Sequence, residues 1–348
     1  MKRTFFFLFG LLLLAIPVEA GAASLKGDAD GDGAVNIADV TVLIDYLLSG
    51  DASAINLENA EVSGDGQVSI NDVTTLIDYL LIGSWPSNVP QTETFTVNGV
   101  SFTMVIVEGG TFMMGATEEQ GTVDPMENEY PVHQVTLSSY GIGQTEVTQE
   151  LWAAVLLGYY GDWFSESFIY PSTYSGRNGF PENLQRPVEN ITGETIRTFI
   201  TALNRLTGRE FRMLTEAEWE FAARGGNLSR GYKYAGSDNI DEVAWYQGNL
   251  PAMGTEGSWP QTVATKAPNE LGLYDMTGNV NEFCSDIGWY PYPSEPVTDP
   301  TYPRTNYNDT YAARGGYWTS PPKYCRVAMR WYAYYGTELT GLRLALTL

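Results

Sequence analysis

The chain has 348 residues, enough for roughly two or three domains, and 42 acidic against 19 basic residues give it a formal net charge of −23. This charge argues against a nucleic-acid ligand, whose phosphates need lysine and arginine, and against an anionic membrane surface. Because His133 is the only histidine, metal sites built on two or three histidines are excluded within one chain.

Residues 1–23 are typical of a secretory signal peptide. Residues 1–3 include two basic side chains, residues 5–16 are apolar, and small residues suited to cleavage follow at 20–23. The apolar run is too short for an ordinary membrane span, and an uncleaved anchor is the alternative. We therefore expect a secreted, extracellular protein that has no contact with a membrane after signal cleavage.

Residues 24–85 contain an internal repeat, because the sequence of residues 37–50 recurs with few changes at 70–83. Each copy carries apolar residues at helical spacing and ends on a glycine suited to terminate a helix. An acidic loop precedes each copy. The repeat therefore predicts two consecutive loop–helix units.

The first acidic loop, residues 28–39, matches the EF-hand calcium loop position by position. Gly33 allows the sharp turn at the sixth position, and Asp39 stands at the last, where EF-hands usually carry glutamate. The predicted calcium ligands of this loop are Asp28, Asp30, Asp32, Ala34, Asn36 and Asp39.

The second acidic loop, residues 61–72, keeps the same pattern with fewer carboxylates. Fewer charged ligands and a longer first side chain predict weaker calcium binding than in the first loop. The predicted calcium ligands of this loop are Glu61, Ser63, Asp65, Gln67, Ser69 and Asp72.

Two such loop–helix repeats, each with aspartate at the last loop position, resemble a type I dockerin domain. The resemblance covers nearly all of residues 25–85 and implies docking onto a cohesin module of a scaffold protein. A calcium buffer is the alternative, which the signal peptide and the large following domain disfavour. Because the carboxylates of each loop repel one another without a cation, we expect calcium binding and folding to be coupled.

Residues 86–93 lack periodicity, contain Pro86 and Pro90, and read as a short, semi-rigid linker. Strand-like alternation with glycine turns follows, so we place a second domain at 94–348. Three helices are predicted there, at 145–157, 193–207 and 216–224. Thr192 is the predicted N-cap of the second helix and Thr215 that of the third.

The second domain is organised around two stretches rich in motifs. The first reads Gly-Leu-Tyr-Asp-Met-x-Gly-Asn-Val-x-Glu-Phe-Cys and ends at Cys284. The second contains Arg-Gly-Gly-x-Trp, Cys-Arg-x-Ala-x-Arg and Gly-x-Arg, at 314–318, 325–330 and 341–343. Further blocks with their own motifs precede them at 104–115, 129–137, 145–148 and 212–226.

In this order the motifs resemble the formylglycine-generating enzyme family, also called the sulfatase-modifying factor family, over residues 102–348. The resemblance implies an irregular, loop-rich α+β fold related to C-type lectins. The predicted fold class of the whole chain is therefore α+β, with a small all-α calcium-binding dockerin module ahead of a C-type-lectin-like domain.

Catalytic members of this family use two cysteines that bind copper(I), a soft ion suited to thiolates, and oxidise a substrate cysteine. Counted without gaps from Gly316, those positions fall on Ser320 and Cys325. Cys325 also precedes an Arg-x-Ala-x-Arg motif, as in members that are not oxidases, and we prefer that alignment because residues on both sides match. One thiolate is missing on either alignment, so we expect neither copper binding nor formylglycine generation.

Other chemistries are constrained by the single histidine. Iron-dependent sulfoxide synthases of the family need several histidine ligands, and a nucleophilic triad would need His133 as its base. We expect His133 to form local hydrogen bonds. Paired carboxylates are too numerous to choose among, so glycosidase chemistry stays open.

The resemblance also implies a calcium site in the first motif stretch, for which a polar surface loop is the alternative. Its ligands would be the side chains and carbonyls of Asp275, Gly278, Val280 and Glu282. Aromatic residues are frequent in the last segment. They could form a ligand surface, and the alternative is that they pack in the core. The residues named for that surface are Trp318, Ser320, Tyr324 and Arg330.

Cys284 and Cys325 are the only cysteines, and a secreted protein meets an oxidising compartment. We expect them to form a disulfide, with two buried free thiols as the alternative. The sequence thus predicts a secreted protein that docks on a cohesin scaffold and presents a non-oxidase domain for ligand binding or an accessory role, with a glycan or protein ligand, in polysaccharide degradation. The alternative is an enzyme of the same family with unrecognised chemistry.

Overall fold

The computed structural model divides the chain into two compact units, residues 1–88 and 89–348. The predicted signal peptide at 1–23 lies outside the described residues. Among the helices described, none is both long and apolar enough to cross a membrane. The described residues are 25–62, 68–82, 90–121, 123, 128–252, 254–306, 310–333 and 335–348.

The first unit is helical, as predicted, and its described helices are α1 (Ile37–Ser49), α2 (Leu57–Ala60) and α3 (Ile70–Ile82). Asn36 caps α1 by accepting a hydrogen bond from the amide of Ala38, and Gly50 ends it at φ 72°, a conformation that glycine adopts without strain. Helices α1 and α3 are the two copies of the repeat. Their inner faces meet in one small core made of Val40, Leu43, Ala60, Val62, Val73 and Leu76.

The second unit combines short strands with five described helices. Its helices are α4 (Gln149–Tyr160), α5 (Glu166–Ile169), α6 (Gly193–Thr207), α7 (Glu216–Ala223) and α8 (Ile240–Val243). Its strands are β1 (Thr92–Val97), β2 (Val100–Val107), β3 (Gly110–Met114), β4 (His133–Leu137), β5 (Tyr140–Gly143), β6 (Phe211–Met213), β7 (Asn281–Ile287), β8 (Val297–Thr298), β9 (Tyr311–Arg314), β10 (Trp331–Ala333), β11 (Thr340–Gly341) and β12 (Leu344–Leu346).

The strands form three sheets, with the orders β1-β2-β5-β12-β6, β10-β9-β7-β11 and β3-β4-β8. The last strand, β12, lies between β5 and β6, so Ala345 pairs with Ile142 on one side and with Arg212 on the other. The sheet is therefore complete only when the end of the chain is in place. Long loops join these elements, and the predicted loop-rich α+β fold is confirmed.

The five-stranded sheet is packed on both faces at its central strands, whereas one face of β1 is exposed. Along β12, Leu344 and Leu346 belong to one hydrophobic cluster and Ala345 to another, as expected for side chains that alternate across a strand. The first cluster includes Trp152 of α4 stacked on Phe199 of α6, with ring centroids 4.6 Å apart. The second packs α7 against the sheet, and α7 carries much of the chemistry described below.

Local capping signals located the helices well. The structure confirms α6 at the predicted residues, and α7 begins after Thr215, whose hydroxyl accepts from the amide of Glu218 at 3.1 Å. Helix α4 begins at Gln149 rather than at residue 145. Thr148 is its N-cap and accepts from the amide of Leu151 at 3.1 Å, so the preceding residues remain extended.

Buried ion pairs join α7 to the C-terminal strands. Arg314 of β9 is fully buried and binds Glu220 through Nη2, while its Nη1 donates to the carbonyl of Met329 at 2.7 Å. Arg330 binds both oxygens of Glu216 at 2.8 Å. Burial alone would raise the pKa of Glu220, but two guanidinium neighbours outweigh it and lower that pKa. The buried carboxylates of Glu216 and Glu220 are therefore neutralised by buried guanidinium groups.

We predict that Arg314→Met strongly destabilises the protein, because Glu220 and Glu216 would stay buried without their shared partner. The expected loss in free energy of unfolding is about 3–5 kcal/mol, measured by urea denaturation at pH 7. Arg177→Met, which breaks the solvent-exposed pair with Glu166, is the control and should cost less than about 1 kcal/mol. Equal losses in the two variants would contradict this account of the buried network.

Candidate functional site

The first acidic loop brings three carboxylates together. One oxygen each from Asp28, Asp30 and Asp32 lies within 4.8 Å of the others. Asp28 is buried, its Oδ2 accepts from the amide of Gly33 at 3.1 Å, and its Oδ1 has no partner. An unpaired buried carboxylate oxygen that faces two other acids is the arrangement that a hard divalent cation satisfies.

The same loop is closed by Asp39, which accepts from the amides of Asp30 at 3.1 Å and Asn36 at 2.8 Å. Ala34 is exposed, and its amide donates to Asp32 at 2.8 Å. A hydrogen bond from the amide of Asp32 favours the charged form of Asp30, but desolvation and three neighbouring carboxylates outweigh it and raise the pKa of Asp30. A cation would relieve this repulsion.

The second acidic loop repeats the closing contact. Asp72 is fully buried and accepts from the amides of Val62 at 2.8 Å and Ser69 at 2.7 Å, as Asp39 does in the first loop. Glu61 stands at the first loop position and is partly exposed. The predicted ligands Ser63, Asp65 and Gln67 lie outside the described residues.

In the second unit, the predicted ligands Asp275 and Glu282 are both buried, but their surroundings differ. Asp275 accepts from the amide of Ala264 at 2.7 Å through Oδ2, and its Oδ1 has no partner. Glu282 is held by Arg343, at 2.6 Å from Nη2, and by Trp219 Nε1 at 2.6 Å. One carboxylate thus has an oxygen available for a cation, and the other already has donors.

Glu146 joins this group, and the sequence reasoning missed it. It is buried and accepts from the Asn279 side chain at 2.8 Å and from the amide of Val280 at 3.2 Å. The amide of Gly278 donates to Gly315 at 2.8 Å. A Cβ on Gly278 would lie 2.2 Å from a backbone oxygen of a neighbouring loop, so this position requires glycine.

The group is short of positive charge. Three buried carboxylates, Glu146, Asp275 and Glu282, face the single guanidinium of Arg343. Burial raises the pKa of Asp275 to about 6, and burial with repulsion from the other two acids raises the pKa of Glu146 well above its usual value. Either protonation or a bound cation resolves this excess. A pocket of about 200 Å³ reaches Glu146 from the surface.

The structure brings Ser320 and Cys325 together, the two positions that the gapless count assigns to the family's thiol pair. Cys325 is fully buried, which raises the pKa of its thiol to about 12 against the lowering effect of a hydrogen bond with Ser320. A Cβ on Gly316 would lie 2.8 Å from the sulfur, so the cysteine is tightly enclosed. This site holds one thiol and one hydroxyl.

The predicted disulfide between Cys284 and Cys325 is wrong, because both cysteines are free and buried. Cys284 lies on β7 in the core beneath α7, whereas Cys325 packs against Tyr234 and Tyr246 in a separate cluster. Burial and the charge of nearby Glu216 raise the pKa of Cys284 well above its usual value. Each thiol therefore behaves as a small apolar core residue.

The predicted ligand surface is also corrected. Trp318, Ser320 and Arg330 are buried, and only Tyr324 is partly exposed. Arg330 is occupied by its buried ion pair, and Trp318 packs edge-on against Tyr174 with centroids 5.5 Å apart. Strand and loop packing turn these side chains inward, an orientation that the bare aromatic composition could not specify.

Two further polar residues, His133 and Glu189, are buried in the second unit. His133 is buried, and its Nδ1 lies 3.2 Å from the carbonyl of Pro131. Glu189, which no motif indicated, is fully buried, accepts from the amide of Tyr174 at 2.8 Å through Oε1, and has no partner at Oε2. Burial raises the pKa of Glu189 to about 7.

Comparison with known proteins separates the two units. Residues 26–81 match the dockerin type I domain, and residues 90–348 match the sulfatase-modifying factor enzyme 1-like domain. The chaperone protein LppX of Paenibacillus barcinonensis is 32% identical over 256 residues, which cover 64% of this chain and 80% of LppX. The formylglycine-generating enzyme of Streptomyces coelicolor is 32% identical over 268 residues, which cover 65% of this chain and 82% of that enzyme.

Solved structures agree with the fold of the second unit. The Treponema denticola variable protein 1 superposes with a TM-score of 0.57 and 27% identity, over 74% of this chain and 99% of that protein. The covered share is close to the share of the chain that the second unit occupies.

We predict that Glu189→Gln changes the pH dependence of stability. The pKa of Glu189 is raised in the folded state, so its favourable contribution is complete below about pH 4.5 and is lost as the pH rises through about 7. Glutamine has no such loss. The variant should match the native protein near pH 4 and exceed its free energy of unfolding by about 3 kcal/mol at pH 9, by urea denaturation.

Glu182→Gln provides the matched control, because it removes the same charge from an exposed position on the same segment. It should leave the difference between pH 4 and pH 9 unchanged. The account of Glu189 is overturned if both variants follow the pH profile of the native protein.

Proposed function

The chain belongs to the sulfatase-modifying factor enzyme 1-like family and carries a type I dockerin domain, and on this basis we propose that it is a secreted protein that docks on a cohesin module of an extracellular scaffold. In this proposal residues 1–23 are the signal peptide, 24–85 the dockerin, 86–93 the linker and 94–348 the second domain. The second domain serves ligand binding or an accessory role in polysaccharide degradation.

Docking depends on calcium in this proposal. The converging carboxylates of Asp28, Asp30 and Asp32 support a cation in the first loop, and the shared contact made by Asp39 and Asp72 supports the same design in the second. Calcium would supply charge that holds each loop in shape and so orients α1 and α3 for the partner.

The observation that carries the non-oxidase role is that at most one thiol stands at the place of the family's thiol pair. The gapless count assigns that pair to Ser320 and Cys325, and the preferred alignment leaves Cys325 outside it. Copper(I) needs two thiolates at this place, and a hydroxyl has too high a pKa to act as one. The remaining thiol is itself enclosed, with its pKa raised to about 12. The domain thus retains the family fold without the metal ligands of its oxidation chemistry.

We extend the proposal to a second calcium site formed by Asp275, Gly278, Val280 and Glu282, with Glu146 as a neighbouring acid. The unpaired Oδ1 of Asp275 and the excess of buried negative charge support it. Glu282 would have to share its oxygens between the cation and Arg343. Here the ion would stabilise the fold and would take no part in chemistry.

The second candidate is an enzyme with different chemistry. Glu189 favours it, because a buried carboxylate with a free oxygen and a pKa of about 7 suits a general base. Two hydroxyl residues lie beside it: the Thr173 side chain hydrogen-bonds to the Glu189 carboxylate, and Ser172 Oγ accepts from the Glu189 amide at 3.2 Å. We rank the binding role first.

We predict calcium-dependent binding to immobilised type I cohesin modules. The native protein should bind in millimolar calcium and be released by EDTA, as measured by surface plasmon resonance. Asp32→Asn should weaken binding by at least about tenfold at limiting calcium, because it removes one of three converging carboxylates. Glu58→Gln, with the same charge change outside both loops, should bind normally, and chelator-resistant binding would refute the calcium requirement.

We also predict that the protein does not convert a sulfatase-derived cysteine peptide to formylglycine in the presence of copper(I) and oxygen. The Streptomyces coelicolor enzyme is the positive control, and mass spectrometry gives the readout. Ser320→Cys restores two thiols at the site and should compete with a chelator for copper(I), whereas the native protein should not. Turnover by the native protein would overturn the non-oxidase proposal.

A further inference from the structure

A row of aromatic side chains lies exposed on the second unit, and we call Trp289, Tyr332, Trp331 and Tyr324 the aromatic row. Neighbouring ring centroids are 4.9 Å apart from Trp289 to Tyr332, 6.0 Å from Tyr332 to Trp331, and 6.2 Å from Trp331 to Tyr324. Each ring thus neighbours the next, with interplanar angles of 55°, 19° and 57° along the row.

The exposure of this row is unusual. Trp289 is 53% exposed, Trp331 42% and Tyr332 39%, and Tyr324 is partly exposed. Single exposed aromatic residues need no explanation, but a contiguous patch of them marks a binding surface. Two of these residues belong to β10, which is an edge strand of its sheet, so no further strand covers that side in the described part of the chain.

The backbone at Gly288 and Trp289 positions one end of the aromatic row. Trp289 has φ 65°, a left-handed conformation that a bulky side chain adopts only at an energetic cost. The preceding Gly288 has no side chain, and a Cβ there would lie 2.7 Å from the Cβ of Tyr332 and 2.6 Å from Thr310 Oγ1. The close approach of this turn to Tyr332 thus requires glycine at position 288. The strained backbone conformation at Trp289 carries an exposed ring.

We propose that the aromatic row binds a neutral polysaccharide chain. The C–H faces of pyranose rings stack on aromatic faces, and the ring-to-ring steps of the row are comparable with the length of one sugar unit along such a chain. The net charge of −23 disfavours a polyanionic polymer by repulsion. At the Tyr324 end of the row, the Nζ of Lys323 lies 4.4 Å from the centroid of the Tyr324 ring.

A flat protein partner fits the row less well. The core of a protein interface excludes water around interlocking side chains, whereas the side chains of this row are four partly exposed rings. A linear polymer can contact each ring in turn without burying the surrounding surface. The inference rests on the proposed function only in taking the second domain as a binding module.

The test is affinity electrophoresis of the full chain without residues 1–23, in gels that contain hydroxyethyl cellulose, soluble xylan or glucomannan. At least one of these neutral polymers should retard the native protein. Trp331→Ala and Trp289→Ala should each weaken that retardation by about tenfold, since each removes one stacking surface. Trp163→Ala is the matched control, because Trp163 is 84% exposed outside the row, and it should behave as the native protein.

Three results would overturn the inference: no retardation by any of the neutral polymers, unchanged retardation of Trp331→Ala and Trp289→Ala, or equal retardation by polygalacturonate. Circular dichroism confirms that each variant is folded. Cohesin binding is measured on the same samples and should not change in the row variants. If the native protein does not bind cohesin, the docking proposal is refuted and the inference about the aromatic row is unaffected. The polysaccharide results test only the inference about the aromatic row.

Discussion

The buried ion pairs between α7 and the C-terminal part of the chain set the condition on which the second unit depends. Glu216 and Glu220 lie inside the protein, where an unpaired carboxylate is strongly unfavourable, and Arg314 and Arg330 neutralise them. These partners are far apart in sequence, so the favourable burial of α7 depends on residues that β9 and the following segment supply. The same late segment supplies β12, which completes the five-stranded sheet.

Charge balance explains where the molecule is suited to bind something. The three buried acids of α7, Glu216, Glu218 and Glu220, each have a guanidinium partner. Around Glu146 and Asp275 the acids outnumber Arg343, and the raised pKa of both acids reports that excess. In the first acidic loop three carboxylates converge, an arrangement that a hard cation from solution satisfies.

The sequence predicted what local spacing controls. It gave the two loop–helix units, the convergence of Asp28 with its loop neighbours, and the caps of α6 and α7, because each depends on residues a few positions apart. It could not give Glu146 or Glu189, since only the tertiary fold brings these acids to their neighbours. The disulfide failed for a related reason: an oxidising compartment permits a bond, but the separate packing of Cys284 and Cys325 decides against it.

The aromatic residues show how a correct composition led to a wrong surface. The predicted ligand surface includes Trp318 and Arg330, which are buried, and leaves out Trp289, which is exposed. Burial of Trp318 follows from its packing against Tyr174, and exposure of Trp331 follows from its position on an edge strand. The position to which the gapless count assigns the family's thiol pair is enclosed and holds one thiol and one hydroxyl, while the outer face carries a row of exposed rings. A binding role for the domain, as proposed, would use this exposed face rather than the enclosed position of Ser320 and Cys325.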